Sequence, residues 1–429
     1  MFLRLVRAFF HFLWVTGMTF IKNSLALGIT LALAACGGGG SDSSSPSSST
    51  SPTGSTTAPT SPTTPSGGTT TPTTPTDPTT PTGSTTPSGY GYFADIKSQI
   101  LKYEIDASGA FTSNSATPVY TGKNITAFKF DPSGKFAYAV SDAIYQFKVG
   151  EKGALQLLAT TSFDSKFTTR SPTLAIDPKG KFLLVGHVGT GNTVSQYAIG
   201  DSGALTLTKS IDLANQGEMT LDPSGQHLFI VPLNYSANAA ITEYSIGVDG
   251  VLLASPIANA LLPIVTTALP SAQYKLVLDP SDNFAYLSNC PANLLTSCEG
   301  YTYKIGINGT LGARGAARSF PAVVSLSTVV DATGRYAYVL GAGSGQQSAI
   351  SVYRLGLDGS FNLIATVPNV NGTDMFIDSS NKNLYVDNFG TVTQFAIGED
   401  GKLTQRSQFL GATDVSSPLI AATLLAISK

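Results

Sequence analysis

One short turn motif recurs along most of this chain, and it limits the possible folds more than any other feature of the sequence. In each copy an apolar stretch ends in Asp and a tight turn, as in Asp177-Pro-Lys-Gly180. Asp accepts hydrogen bonds from the backbone amides that follow, Pro presets φ, and Gly adopts a positive φ without steric cost. We therefore expect these aspartates to be structural rather than catalytic. The motif begins at Asp131, Asp177, Asp222, Asp279, Asp331 and Asp378.

A second turn motif alternates with the first. It consists of an aromatic residue followed by a Gly-rich turn, as in Tyr197-Ala-Ile-Gly-Asp-Ser-Gly203. Its copies begin at Tyr103, Phe147, Tyr197, Tyr244, Tyr303, Tyr353 and Phe395. One pair of turns recurs about every 50 residues, which is close to the length of a four-stranded propeller blade. The copies of this motif predict an all-β fold, a seven-bladed β-propeller.

The two ends of the repeat region predict how the ring of blades closes. Tyr90-Gly-Tyr-Phe-Ala94 reads as a second strand with no innermost strand before it. Ser417-Pro-Leu-Ile-Ala-Ala422 parallels the inner strand Ser171-Pro-Thr-Leu-Ala-Ile176. We therefore expect the C-terminal strand to join the N-terminal blade, because a closed ring pairs the sheet edges that an open array would expose.

The start of the chain has the features of an export signal. An apolar run ends in Leu33-Ala-Ala-Cys36, which resembles the lipobox of bacterial lipoproteins, where the leader is cut before a Cys that becomes lipid-modified. Met18 is the expected true start, because Met18-Thr-Phe-Ile-Lys22 supplies a short basic segment before the apolar run. The alternative is an uncleaved membrane helix. In lipoproteins, Gly37 after the modified Cys implies export to the outer membrane of the cell envelope.

A low-complexity segment separates this leader from the repeats. Residues 41–88 are nearly all Ser, Thr, Pro and Gly, and they cannot bury enough apolar surface to fold. Such a tether reaches roughly 40 Å as a flexible coil and roughly 150 Å as a polyproline-like chain. It is either a plain spacer or a carrier of O-glycans. The chain therefore divides into a signal peptide (1–35), a lipidated Cys with its tether (36–88) and a propeller (89–429).

Charge and cysteine content restrict the partners and the redox state. The net charge is only −2 and the basic residues do not cluster, so nucleic acid is not an expected partner. Cys290 and Cys298 lie in one segment of an exported domain, which favours a disulfide between them. A redox or metal role for this pair is the alternative.

Candidate binding residues lie where the inner strands begin. The position four residues before each motif Asp is predicted to ring one mouth of the central channel. These residues are Ala127, Thr173, Glu218, Lys275, Ser327 and Asp374. The loops between second and third strands reach the same face and vary in length, whereas the opposite face repeats its tight turns. We expect any site on the variable face, since binding residues concentrate on variable loops of a rigid scaffold.

The repeats resemble those of the lactonase-like seven-bladed propellers, a group that includes 6-phosphogluconolactonase-type proteins and Tyr-Val-Thr-Asn repeat surface proteins. Asp177-Pro-Lys-Gly-Lys-Phe-Leu-Leu-Val185 and Asp331-Ala-Thr-Gly-Arg-Tyr-Ala-Tyr-Val339 carry the resemblance, which covers residues 89–429. Enzymes of this family often have a Pro-His segment before an inner strand. The corresponding Thr169-Arg-Ser-Pro-Thr173 keeps Arg170 and has no His.

Two sets of roles follow for the charged candidates. In an enzyme, Glu218 or Asp374 would be the base, His187 would assist, and Arg170 or Lys275 would bind the anionic part of a lactone. In a binding module, Arg170, Lys275, Thr173 and Ser327 would contact the ligand. The plain alternative is a polar rim that binds water.

Other chemistry has little support in the sequence. His187 is expected in a loop of the variable face and His227 near the opposite face, so a histidine metal site is not predicted. No Gly-x-Ser-x-Gly elbow occurs, and Gly341-Ala-Gly-Ser-Gly345 does not open a helix, so no cofactor is expected.

The leading hypothesis is a lipid-anchored propeller of a bacterial envelope that binds a protein, peptide or glycan without catalysis. The competing hypothesis is an exported lactone hydrolase or isomerase. A third is a structural module of a larger envelope assembly.

Overall fold

The strands that each pair of turns connects form one antiparallel sheet. The computed structural model describes residues 87–94, 98–112, 117–123, 125–163, 172–187, 193–213, 217–232, 240–262, 273–290, 298–320, 324–342, 348–388, 391–410 and 423–428. Within these ranges the strands form seven sheets, which we number as blades in chain order. Six sheets have four strands, and the fifth blade carries one additional short strand. The all-β, seven-bladed propeller expected from the repeats is confirmed.

The strands alternate with short turns in every blade. Blade 1 contains β1 (Gly89–Ala94), β2 (Gln99–Ile105) and β3 (Thr117–Thr121). Blade 2 contains β4 (Ala127–Phe130), β5 (Phe136–Val140), β6 (Ala143–Val149) and β7 (Leu155–Ser162). Blade 3 contains β8 (Thr173–Ile176), β9 (Phe182–His187), β10 (Thr193–Ile199) and β11 (Leu205–Asp212). Blade 4 contains β12 (Gly217–Leu221), β13 (His227–Pro232), β14 (Ala240–Ile246) and β15 (Leu252–Leu261).

The second half of the ring repeats this plan. Blade 5 contains β16 (Gln273–Leu278), β17 (Phe284–Cys290), β18 (Glu299–Ile305), β19 (Leu311–Arg314) and β20 (Arg318–Ser319). Blade 6 contains β21 (Val324–Val330), β22 (Tyr336–Ala342), β23 (Ser348–Leu355) and β24 (Phe361–Pro368). Blade 7 contains β25 (Asp374–Ile377), β26 (Asn383–Asn388), β27 (Thr391–Ile397) and β28 (Leu403–Leu410), and the last strand is β29 (Thr423–Ser428). Of the described residues, only Glu151–Gly153 form a helical turn, and no described helix is long and apolar enough to cross a membrane.

The innermost strands of successive blades lie side by side around a central channel. β4 contacts β8, β8 contacts β12, and the series continues through β16 and β21 to β25. β29 contacts β4 and pairs antiparallel with β1, with Tyr90 opposite Ser428. The C-terminal strand of blade 1 is thus Thr423–Ser428, and the segment 417–422 predicted for it lies outside the described residues.

The motif aspartates hold the turns, as the sequence predicts. Asp331 is buried, and its Oδ1 accepts the backbone N–H groups of Arg335 and Tyr336 at 2.8 Å each. Gly334 in the same turn has φ +69°. Its other oxygen, Oδ2, accepts hydrogen bonds from the Thr333 hydroxyl and the Asn381 amide. The Asp331 side chain therefore holds the turn, and neither oxygen is free for catalysis.

Both kinds of tight turn lie on one face of the propeller, which we call the turn face. The N–H of Ile199, just before the second turn of blade 3, donates to the carbonyl of Lys181, just after the first turn. Inner strands therefore end at the turn face and begin at the opposite face. We call the latter the loop face.

Apolar side chains fill the space between neighbouring blades. Leu184 of blade 3 packs with Met219 and Ile230 of blade 4. Phe93 of blade 1 packs in the same way with Tyr385 of blade 7. Each blade thus buries both of its faces against its neighbours, and the strands read as apolar on both sides.

Polar side chains also join each blade to the next. The Gln196 side chain of blade 3 donates from Nε2 to the Gly250 carbonyl and accepts the Leu252 N–H at 2.8 Å. Tyr385 Oη of blade 7 donates to the Gly109 carbonyl of blade 1 at 2.8 Å. These bonds go to the second turn of the following blade, so they fix the angle between blades.

Candidate functional site

Three predicted residues share the loop-face mouth of the channel. Glu218, Lys275 and Asp374 stand at or near the first positions of β12, β16 and β25. Lys275 Nζ lies 3.2 Å from Glu218 Oε1, and 39% of the Lys275 side chain and 36% of the Glu218 side chain remain exposed. A half-exposed ion pair of this kind adds little to stability, and its charges stay accessible to a ligand from solvent.

Asp374 is held by the neighbouring blade. The hydroxyl of Ser327 in β21 donates to Asp374 Oδ1 at 2.6 Å. The Met375 N–H donates to Ser327 Oγ at 3.2 Å and to Asp374 Oδ1 at 2.8 Å. Ser327 is buried. Its role in the structure is therefore to orient the Asp374 carboxylate.

Lys129 is a fourth basic or acidic residue of the channel, and it was not predicted from the sequence. Its side chain, in the inner strand β4, is exposed to solvent. The protein around the channel lowers its pKa by burial, and the charge of Lys275 adds to this effect, whereas Asp374 and Glu218 oppose it. The four groups are thus close enough for their charges to influence one another. Lys129 lies two residues after Ala127, so the alternation of side chains along a strand was the available signal.

The two carboxylates keep Lys275 charged. Burial would lower the pKa of Lys275, but Glu218 and Asp374 outweigh burial and raise it above its usual value. Lys275 is thus an ammonium whose charge is already balanced. No described carboxylate forms an ion pair with Lys129, so its amine is the basic group of the channel that is left open to an external anion.

His187 is part of the packing of blade 3. It ends β9, and only 3% of it is exposed. Its ring meets Phe163 edge-on at 4.9 Å, and Nε2 lies 3.1 Å from Ser195 Oγ. Burial lowers the pKa of His187 to about 4, so it is neutral at pH 7. The sequence placed His187 in a loop, but β9 extends through it and directs it into the core.

Thr173 and Arg170 are the two other residues that were predicted to contact a ligand, and only Thr173 lies within the described residues. Thr173 begins β8 opposite Gly186, and a Cβ on Gly186 would come within 2.4 Å of Thr173 Oγ1. The buried hydroxyl of Thr173 thus faces β9. Arg170 lies outside the described residues, so its predicted role stays a prediction.

The remaining candidates lie apart from the channel charges. His227 Nδ1 is 2.9 Å from Asp222 Oδ2 at the turn face, where the sequence places it. Cys298 is fully buried, and the side chain of Cys290 lies outside the described part of the chain, so the disulfide stays a prediction. In that part no group of three or more His, Cys, Asp or Glu side chains is arranged to hold a metal ion.

Comparison with known proteins agrees with the repeat pattern. Residues 85–249 match the family model described as Lactonase, 7-bladed beta-propeller. The predicted resemblance to the lactonase-like propellers is confirmed. No curated protein sequence shows significant similarity to this chain.

Solved structures share the fold of this propeller at low sequence identity. A Lactobacillus plantarum protein is 17% identical with a TM-score of 0.61, over 79% of this chain and 98% of its own. The periplasmic gluconolactonase of Pseudomonas aeruginosa is 16% identical with a TM-score of 0.59, over 79% and 100%. A protein of unknown function from Desulfotomaculum acetoxidans is 15% identical with a TM-score of 0.56, over 74% and 94%. At these identities the likeness concerns the fold alone.

Proposed function

We propose that this protein is a lipid-anchored binding module of a bacterial envelope, and that its channel mouth binds an anionic group of a peptide or glycan without catalysis. The Lys129 side chain carries the proposal, because it is exposed in the inner strand β4 and has no ion pair with a described carboxylate. Glu218 and Asp374 provide acceptors for donors on the same ligand. The anchor rests on the lipobox at Cys36 and the segment 36–88.

The arrangement of titratable groups supports binding over catalysis. A general base must reach its substrate with a pKa near the working pH. His187 is packed in the core of blade 3, where burial lowers its pKa to about 4. The segment 169–173, which corresponds to the Pro-His segment of family enzymes, contains no His. The charges at the mouth thus lack the histidine that the family enzymes use.

The first test measures binding to the full-length protein by isothermal titration. The ligands are peptides ending in a carboxylate and oligosaccharides of uronic acids, each with an uncharged analogue. We expect Lys129→Gln to weaken binding of the anionic ligands at least tenfold and to leave uncharged analogues unaffected, because it removes the open cation. Lys402→Gln is the matched control, since it removes a lysine of the surface pair with Asp400, 2.8 Å apart, away from the mouth.

Two results would contradict the proposal. One is the absence of binding to every anionic ligand of the set. The other is a Lys129→Gln variant that binds as tightly as the wild type and Lys402→Gln.

Lactone hydrolysis is the second candidate. The match of residues 85–249 to the lactonase family and the shared fold with a gluconolactonase favour it. In this case Glu218 would act as the base beside Lys275. Glu218→Gln should then abolish turnover of a lactone and leave the melting temperature nearly unchanged, because the Glu218 side chain is partly exposed. Absence of turnover by the wild type across a broad set of lactones would reject this candidate.

A further inference from the structure

Three consecutive blades each expose one large aliphatic side chain at the same position of the second turn. Val248 of blade 4 has a relative exposure of 109%, Ile307 of blade 5 has 111%, and Leu357 of blade 6 has 104%. Each follows the first Gly of its turn. In the other four blades the same position holds a small or charged residue. These residues are Ala107, Glu151, Asp201 and Glu399.

The turns themselves do not need these aliphatic side chains. Within blade 4, the Gly250 N–H donates to the Gly247 carbonyl at 2.8 Å, and Asp249 Oδ1 accepts the Val251 N–H at 3.1 Å. The turn at Leu357 is closed by the same bonds. The apolar side chains therefore project into solvent, where their exposure is unfavourable, and they contribute no packing to the fold.

The chain enters the propeller on the face that carries these side chains. Gly89, the first residue of β1, pairs with Ile105, the last residue of β2. Ile105 leads directly into the second turn of blade 1, and the Ser88 N–H donates to its carbonyl at 2.8 Å. The predicted tether, residues 36–88, is thus joined to the turn face.

We propose that Val248, Ile307 and Leu357 form a lipid-docking surface, with which the turn face of blades 4 to 6 rests on the membrane that holds the lipid of Cys36. This proposal rests on the lipid anchor of the proposed function. A bilayer accepts three separate side chains at once, whereas a folded partner would need three matching pockets. The tether raises the effective concentration of the membrane to the millimolar range, so a surface too weak to bind alone becomes sufficient.

The charges near the three turns are balanced. Lys304 and Arg354 are exposed at the ends of β18 and β23, and Asp249 and Asp358 lie in the turns. The aliphatic side chains, rather than attraction to anionic lipid, thus drive the docking, and we expect it to depend weakly on salt. The channel mouth lies on the opposite face, so docking leaves Lys129 open to ligands.

Tryptophan fluorescence tests the docking, because the only Trp of the chain is Trp14 in the predicted signal peptide. Leu357→Trp and Leu261→Trp are each introduced into the full chain with Trp14→Phe. Leu261 is the matched control: it is 67% exposed and belongs to blade 4, but it ends β15 at the loop face, opposite Ala240. The lipidated proteins are reconstituted in vesicles of phosphatidylethanolamine and phosphatidylglycerol with brominated acyl chains, and flotation confirms attachment.

We expect bromine to quench the emission of Leu357→Trp at least twofold and to leave that of Leu261→Trp unchanged. If the protein floats with the vesicles but bromine quenches Leu357→Trp no more than Leu261→Trp, the docking surface is overturned and the lipid anchor is not. Protein that does not float would overturn the anchor, and the docking surface with it. Emission of Leu357→Trp that shifts to the blue with protein concentration in detergent, without quenching in vesicles, would assign the surface to a second copy instead.

Discussion

Glu243 occupies a position that glutamine fills in three other blades. These residues are Gln146, Gln196 and Gln394. Glu243 Oε2 accepts the Leu311 N–H of blade 5 at 3.1 Å, as Gln196 accepts that of Leu252. Its other oxygen, Oε1, is buried with no hydrogen-bond partner in the described part of the protein. Only a protonated Glu243 can supply the donor that the amide of Gln196 provides.

The presence of Glu243 in place of a glutamine makes the stability of the protein depend on pH. Burial raises the pKa of Glu243 to about 7 from 4.5, against the opposing effects of the Leu311 N–H and His227. The folded protein thus holds a proton that the unfolded chain releases above about pH 4.5. The free energy of unfolding therefore falls as pH rises from about 4.5 to about 7, by about 3 kcal/mol, and stays low above that range.

We expect Glu243→Gln to remove this loss. The variant should match the wild type at pH 5 and exceed its free energy of unfolding by about 3 kcal/mol at pH 8, because the amide is a donor at both values. Urea unfolding at the two pH values measures this. The pKa of His227 is raised by its bond to Asp222, so His227 also stabilises only at lower pH, but it is present in both proteins.

Glu151→Gln is the control, since Glu151 is exposed at the turn of blade 2. It should change stability at neither pH. A Glu243→Gln variant with the same advantage at pH 5 and pH 8 would contradict the role of the buried proton.

Single residues were the hardest part to predict from the sequence. The position four residues before each motif Asp located Glu218, Lys275 and Asp374, because it depends only on local strand geometry. Lys129 was missed because the prediction took only the first channel position of each inner strand, whereas Lys129 lies two residues further along β4 on the same side. Its proximity to charges of three other blades depends on packing that no local pattern encodes. The burial of His187 depends on Phe163 of blade 2, a contact between blades that no local pattern encodes.

At the scale of elements, the blades are joined by tyrosines of the second strands. Tyr92, Tyr138 and Tyr338 each donate to the carbonyl of a Gly in the second turn of the next blade, at 2.8 to 3.0 Å. Tyr385 makes the same bond from blade 7 to Gly109 of blade 1. Each bond satisfies a turn carbonyl at the interface between blades.

We expect Tyr385→Phe to lower the free energy of unfolding by about 1 to 2 kcal/mol, because the Gly109 carbonyl loses its partner at a site where Tyr385 is fully buried. Chemical denaturation measures the loss. Tyr145→Phe is the control, since that hydroxyl bonds Asp142 at 2.7 Å within its own blade near solvent. A loss for Tyr385→Phe no larger than for Tyr145→Phe would show that the bond between blades 7 and 1 adds nothing.

At the scale of the whole molecule, the two faces of the propeller carry different features. The turn face carries the entry of the chain and the three exposed aliphatic side chains. The loop face carries the mouth with Lys129, Lys275, Glu218 and Asp374. If the turn face rests on the membrane, the channel mouth on the opposite face points away from the bilayer.

The overall fold was the most predictable part of the protein. Its signals, the Asp turn and the Gly-rich turn, lie within a few residues and repeat, so each copy supports the others. The C-terminal strand of blade 1 was predicted at 417–422, whereas Thr423–Ser428 pairs with β1. The prediction differed because several apolar stretches near the chain end suit an inner strand equally well. The ligand was not predictable, because its recognition depends on side chains brought together from four blades.

The most direct test of the central claim is a crystal structure of the wild-type protein with the tightest ligand from the titrations. We expect an intact ligand at the loop-face mouth, with its anionic group within hydrogen-bond distance of Lys129 Nζ and its donors toward Glu218 or Asp374. A ligand bound outside the mouth, or a lactone found hydrolysed beside Glu218, would contradict it.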